Sequence, residues 1–130
     1  MQILQPAGWP RPKGYSNGVV GRGRIVFIAG QIGWDQDHLF HDQDFAGQFE
    51  RALANMLAVL AEAGGRPEHL ARMTWFITSK EAYLAQAARV GEIYRSAMGR
   101  HYPAMSVVEV SALVEDRAVV EIEATAILPD

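Results

Sequence analysis

Two rhythms of apolar and polar positions run along this chain. Over residues 44–63 the apolar set Phe45, Phe49, Leu53, Met56, Leu57 and Leu60 recurs at helical spacing. Asp42 or Asp44 caps the start of this helix, and Gly64 and Gly65 stop it. A second helix is predicted over residues 81–98, with Leu84, Ala87, Ala88, Gly91 and Tyr94 available to pack and Gly99 at its end. Residues 15–20 and 24–31 read as two strands joined by the turn Gly21-Arg22-Gly23, a hairpin signal. Residues 72–78, rich in β-branched and aromatic side chains, give a third strand, and 105–110 and 118–127 the last two. A Pro-rich lead-in (Pro6, Pro10, Pro12) precedes them, and the predicted order is ββαβαββ without internal repeats.

That order fits an α+β fold with one mixed sheet and two helices on one face. The other face is not polar enough for water. Val26-Phe27-Ile28, Trp75-Phe76-Ile77 and Val107-Val108 are apolar on both sides of their strands, as in strands covered on both faces. Two helices cover only one face, so the pattern predicts a homo-oligomer whose interfaces lie along the open one.

Composition narrows the class. The 130 residues make a single domain, 1–130, with 49% hydrophobic and 21% charged residues, enough for an ordinary core. A net charge of −3 offers no general attraction for phosphate backbones or anionic lipid, so neither nucleic acid nor membrane is an expected partner. No apolar run approaches the ~20 residues of a membrane span, and the first residues lack the apolar stretch of a secretory signal. The expected location is cytoplasmic. The chain has no cysteine, which removes thiolate nucleophiles, disulfides and cysteine zinc sites.

The last strand carries the clearest candidate chemistry. Glu121 and Glu123 alternate with Val120, Ile122 and Ala124, so both carboxylates point to the same face. A carboxylate on an apolar sheet face is placed to hold a water or move a proton; the competing reading is an ion pair with an arginine of a neighbouring subunit. Met105, Val107 and Glu109 share a face of the preceding strand. Gly30-Gln31 ends the second strand, either to meet a ligand or to make a turn, and Tyr15 opens the first, either in a pocket or in the core. His38 and His41 lie among four aspartates between Asp35 and Asp44, but in a loop without fixed ligand spacing, so a solvated acidic loop is favoured over a metal site. No serine has a nucleophile-elbow context. The basic neighbourhood Arg11, Lys13, Arg22 and Arg24 carries no nucleic-acid motif.

Taken in order, KGYSNGVV, FIAGQIGWD, FERALANMLAVLAEAGG, RMTWFIT, YPAMSVVEVSAL and VVEIEATAI resemble the Rid (YjgF/YER057c/UK114) family over nearly the whole chain. The resemblance implies a chorismate-mutase-like fold and a homotrimer. It also implies a central barrel of three sheets, with small-molecule clefts between subunits and no cofactor. Active members hydrolyse enamines and imines, notably 2-aminoacrylate-type products of amino-acid lyases, to ketoacids and ammonia. Position by position, Tyr15 matches the family's cleft tyrosine, Gly30-Gln31 its conserved turn, and Glu121 the carboxylate that positions the attacking water.

The departures are equally specific. Met105 stands where deaminating members carry the arginine whose fork holds the substrate carboxylate. Val107 replaces a cysteine, Ala29 a serine, and Gly91 a cleft asparagine. Met105, Val107 and Trp34 in a cleft would favour a neutral or partly aromatic ligand. If the chain does hold a carboxylate, Arg72 or Arg24 is expected to supply the charge. Two functions remain open: an imine or enamine hydrolase acting on a substrate without an essential carboxylate, and a trimer that binds a metabolite without chemistry. Endoribonuclease activity, reported for some relatives, comes third because of the acidic charge.

Overall fold

A computed structural model describes residues 1–130. Six strands and three helices follow one another as β1 (Gln2–Leu4), β2 (Gly18–Val20), β3 (Arg24–Ile32), α1 (Phe45–Glu62), β4 (Leu70–Ile77), α2 (Lys80–Ala85), α3 (Ala87–Met98), β5 (Ala104–Glu109) and β6 (Val120–Leu128). A 3-10 turn, Pro67–His69, leads into β4. No helix is long and apolar enough to cross a membrane.

The main sheet has the order β3-β6-β4-β5. β6 is antiparallel to both neighbours, and β4 and β5 run parallel, joined by the α2–α3 crossover. A parallel pair needs such a crossover, whereas the antiparallel pairs do not. The expected hairpin between the first two strands does not form. β2 pairs with β1, from within the Pro-rich lead-in, in a separate two-stranded sheet. Glycine at 21 and 23 releases the chain from β2 into β3 rather than turning it back, with Gly23 at φ 150°.

α1 begins where the sequence places it. The Asp44 carboxylate accepts from the Gly47 N–H at 3.2 Å, and Gly64 takes φ 78° beyond the helix end. Phe45, Phe49, Leu53, Met56 and Leu60 are buried against the sheet. Phe49 meets Trp75 of β4 edge to face, with ring centroids 4.6 Å apart.

The second predicted helix is two. Gln86 (φ −115°, ψ 20°) separates α2 from α3, and its side chain works elsewhere. Its Oε1 accepts from the Ala46 N–H at 2.8 Å and its Nε2 donates to Asp44 at 3.1 Å, which satisfies one of the free N–H groups at the amino end of α1. Gln48, almost fully buried, holds the loop before β6: it donates to the carbonyls of Asp42 and Arg117 and accepts from the Val119 N–H.

All three helices lie on one face of the sheet. On β6 the burial alternates, with Val120, Ile122, Ala124, Ala126 and Leu128 facing the helices and Glu121, Glu123, Thr125 and Ile127 facing away. The outward face is apolar as well as charged. Phe27 is 79% exposed and Ile25 59% exposed, far more than a core strand leaves open.

Candidate functional site

On the helix side, β5 and α3 enclose a cleft of about 430 Å³, within the usual range of small-molecule pockets. Parallel register puts Met105 beside Met73 and Val107 beside Trp75, so both strand residues point toward the helices and line this cleft. Tyr15 reaches it from the lead-in. Its position is fixed by its neighbour Ser16, whose N–H donates to the Pro103 carbonyl at 3.0 Å and whose hydroxyl donates to the Tyr102 carbonyl. Four of the residues singled out in the sequence therefore come together: Tyr15, Gly91, Met105 and Val107.

The cleft is aromatic. Trp75, Tyr83, Tyr94 and Tyr102 join Tyr15 in its walls, and Tyr94 stacks on Tyr102 at 5.3 Å between centroids. Burial pushes the Tyr94 phenol above its ordinary range, with Tyr102 adding to the shift. The phenol stays protonated and donates to the His101 carbonyl at 2.6 Å. The Trp75 indole N–H is buried and has no acceptor.

Two cations line the cleft, Lys13 and Arg95. Of the two cations the sequence offers for a carboxylate, Arg72 and Arg24, neither lines this cleft within the protomer. Arg72 lies on the open sheet face in a depression with Phe27, Thr74 and Glu123. Arg24 begins edge strand β3, paired with Leu128. Arg95 was missed because helical periodicity marks it only as a polar position. Trp34 is also absent from the cleft: it stacks on His38 at 3.8 Å, in the loop beside α1.

Glu121 occupies the opposite face of the sheet. It pairs in register with Phe76 of β4, on the side away from the helices. Gly30, beside a register shift in β3, makes room for it, since a Cβ there would stand 2.6 Å from the Glu121 carboxyl carbon. The ion pairs of the chain, His41–Asp35 and Arg66–Glu68, leave Glu121 without a cation. Gln31 goes to neither place. Its amide donates to the Ala29 carbonyl at 3.1 Å, and it lines a depression with Asp35, Arg51 and Asn55. Glu109 accepts from the Lys80 N–H at 2.7 Å, at the start of α2.

The acidic loop is organised around one carboxylate. Asp35 accepts from the N–H groups of Asp37 and Leu39 and from His41 Nε2 at 2.6 Å. The His41 hydrogen bond, then that of Leu39, lowers its pKa to about 2. No three His, Asp or Glu side chains converge as a metal site.

Comparison with known proteins agrees with the sequence motifs. Residues 10–128 match the family model described as Endoribonuclease L-PSP. A RutC family protein of Synechocystis is 34% identical over 131 residues, covering 99% of this chain and 98% of the relative. The solved structure of the Rid family protein YyfB from Yersinia pestis superposes with a TM-score of 0.84 at 30% identity, covering 98% of each chain. That of Rv2704 from Mycobacterium tuberculosis, described as a member of the YjgF/YER057c/UK114 family, superposes with a TM-score of 0.66 at 32% identity over 88% of this chain and 87% of the other. On the motifs, the fold and these likenesses together, the chain belongs to the Rid (YjgF/YER057c/UK114) family.

Proposed function

We propose that the protein hydrolyses the C=N bond of a small imine or enamine-derived imine, in a site assembled between copies of the chain in a homotrimer. The observation that carries this reading is the division of the candidate residues between two faces. Tyr15, Met105 and Val107 line the helix-side cleft, while Glu121 lies over Gly30 on the open face. One protomer cannot bring them onto one substrate. A second copy packed on the apolar open face, with its exposed Phe27 and Ile25, supplies the missing half.

Glu121 suits the role of base because no cation within the chain neutralises it. Water attacks the C=N carbon of the protonated imine and gives a proton to the carboxylate, forming the neutral tetrahedral amino alcohol. The carboxyl then returns that proton to nitrogen, the C–N bond breaks as the carbinol hydroxyl gives its own proton to the carboxylate, and the carbonyl product and the amine leave. The Tyr15 hydroxyl, at the cleft wall, orients the nitrogen or the water. No cofactor is required by this balance.

Amine release from a panel of freshly generated imines tests the reading. Glu121→Gln is expected to keep the oligomer and lose at least about a hundredfold in turnover, the scale of a general base. A variant with full activity makes Glu121 structural. An inactive wild type across the panel leaves the cleft as a binding site in a non-catalytic trimer, the alternative function.

A further inference from the structure

We infer that the cleft between α3 and β5 takes a small organic anion with a flat, aromatic or unsaturated body, and that Arg95 of α3 holds its anionic group in place of a strand cation. The inference takes from the reading above only the location of the site, and it concerns binding rather than turnover.

The charges lining the cleft carry the first part. Lys13 and Arg95 are there and no carboxylate is, in a chain whose net charge is −3. A pocket that gathers cations from an acidic protein selects anions. Arg95 is not occupied elsewhere, since neither ion pair in the chain includes it.

Its direction carries the second. As the basic residue of the last turn of α3, Arg95 has an ordinary role available, countering the negative end of the helix. The side chain does not take it. The guanidinium runs back one turn and lies over Gly91, where an added Cβ would meet Nη1 at 3.1 Å and the guanidinium carbon at 3.8 Å. Glycine at 91 thus clears a path for the fork along the cleft wall. Met105, on the facing strand, supplies only a thioether, so the strand brings no cation to this cleft and the helix brings one.

The body of the ligand follows from the walls. Tyr15, Trp75, Tyr83 and Tyr102 offer ring faces and edges to a flat molecule.

Calorimetric titration of the full chain with phenylacetate, benzyl alcohol and acetate decides the matter. Phenylacetate should bind at least about tenfold more tightly than either the neutral ring or the ringless anion, the scale of one charge-assisted hydrogen bond. Arg95→Gln, at an exposed position, should cost phenylacetate about tenfold or more and change benzyl alcohol by less than about twofold. Equal phenylacetate affinity in the variant overturns the inference, as does a wild type that prefers benzyl alcohol or binds acetate equally well. Imine turnover is scored separately: phenylacetate binding that depends on Arg95, without turnover, leaves this inference standing while the hydrolase reading falls. Turnover with binding indifferent to Arg95 does the reverse.

Discussion

The carboxylate of Glu121 rests against Gly30, across the β3–β6 pair, at a distance that no side chain on residue 30 would permit. The glycine is there for a close approach rather than for backbone freedom, since its φ is not positive.

Gly30→Ala therefore displaces a flexible carboxylate, not the backbone. The fold should survive with a loss within about 1 kcal/mol, the range of a shift at a partly exposed site. Imine turnover should fall toward the level of Glu121→Gln. Thermal melting and amine release read the two effects separately, and unaltered turnover would mean that the position of Glu121 over Gly30 is immaterial.

Phe27 is the most exposed aromatic ring of the open face. Placing a charge there removes the apolar area that a second copy would cover and leaves a desolvation cost in its place. Phe27→Asp is expected to give monomers by light scattering at micromolar concentration, while far-UV circular dichroism stays native. An intact trimer would locate the interface elsewhere.

Asp35 makes a pH prediction with a definite sign. Its carboxyl titrates near 2 in the fold against an ordinary value of 3.8, so the contribution to stability is fully present above 3.8 and is lost as pH falls toward 2. His41→Ala removes the largest cause, and the Asp35 midpoint should move up toward 3.8 in a carbon-detected NMR titration. An unmoved midpoint would assign the shift to the Leu39 and Asp37 N–H groups alone.

Much of this was legible in residue order. Period-3.6 spacing located α1 to within a residue at each end, and the alternation of Glu121 and Glu123 with apolar neighbours gave the two faces of β6 correctly. Local pattern failed where a distant group decided the outcome. The hairpin signal at Gly21-Arg22-Gly23 yielded to pairing of β2 with β1, a contact across the Pro-rich lead-in. The helical pattern over 81–98 gave no sign of a break at Gln86, because the break is stabilised by α1 and not by the helix itself. Arg95 escaped notice for a similar reason: its value lies in what Gly91 leaves open one turn earlier, which no composition or period reports.

The bonds from Gln86 have a consequence for how the molecule opens. One amide both stands between α2 and α3 and closes the first turn of α1. The α2–α3 joint cannot fray without releasing the Ala46 N–H at the start of α1. Hydrogen exchange should find the Ala46 amide and those around the α2–α3 joint opening together, as one cooperative unit far apart in sequence. The wall of the cleft contributed by α3 thus shares its local stability with a helix end on the other side of the crossover.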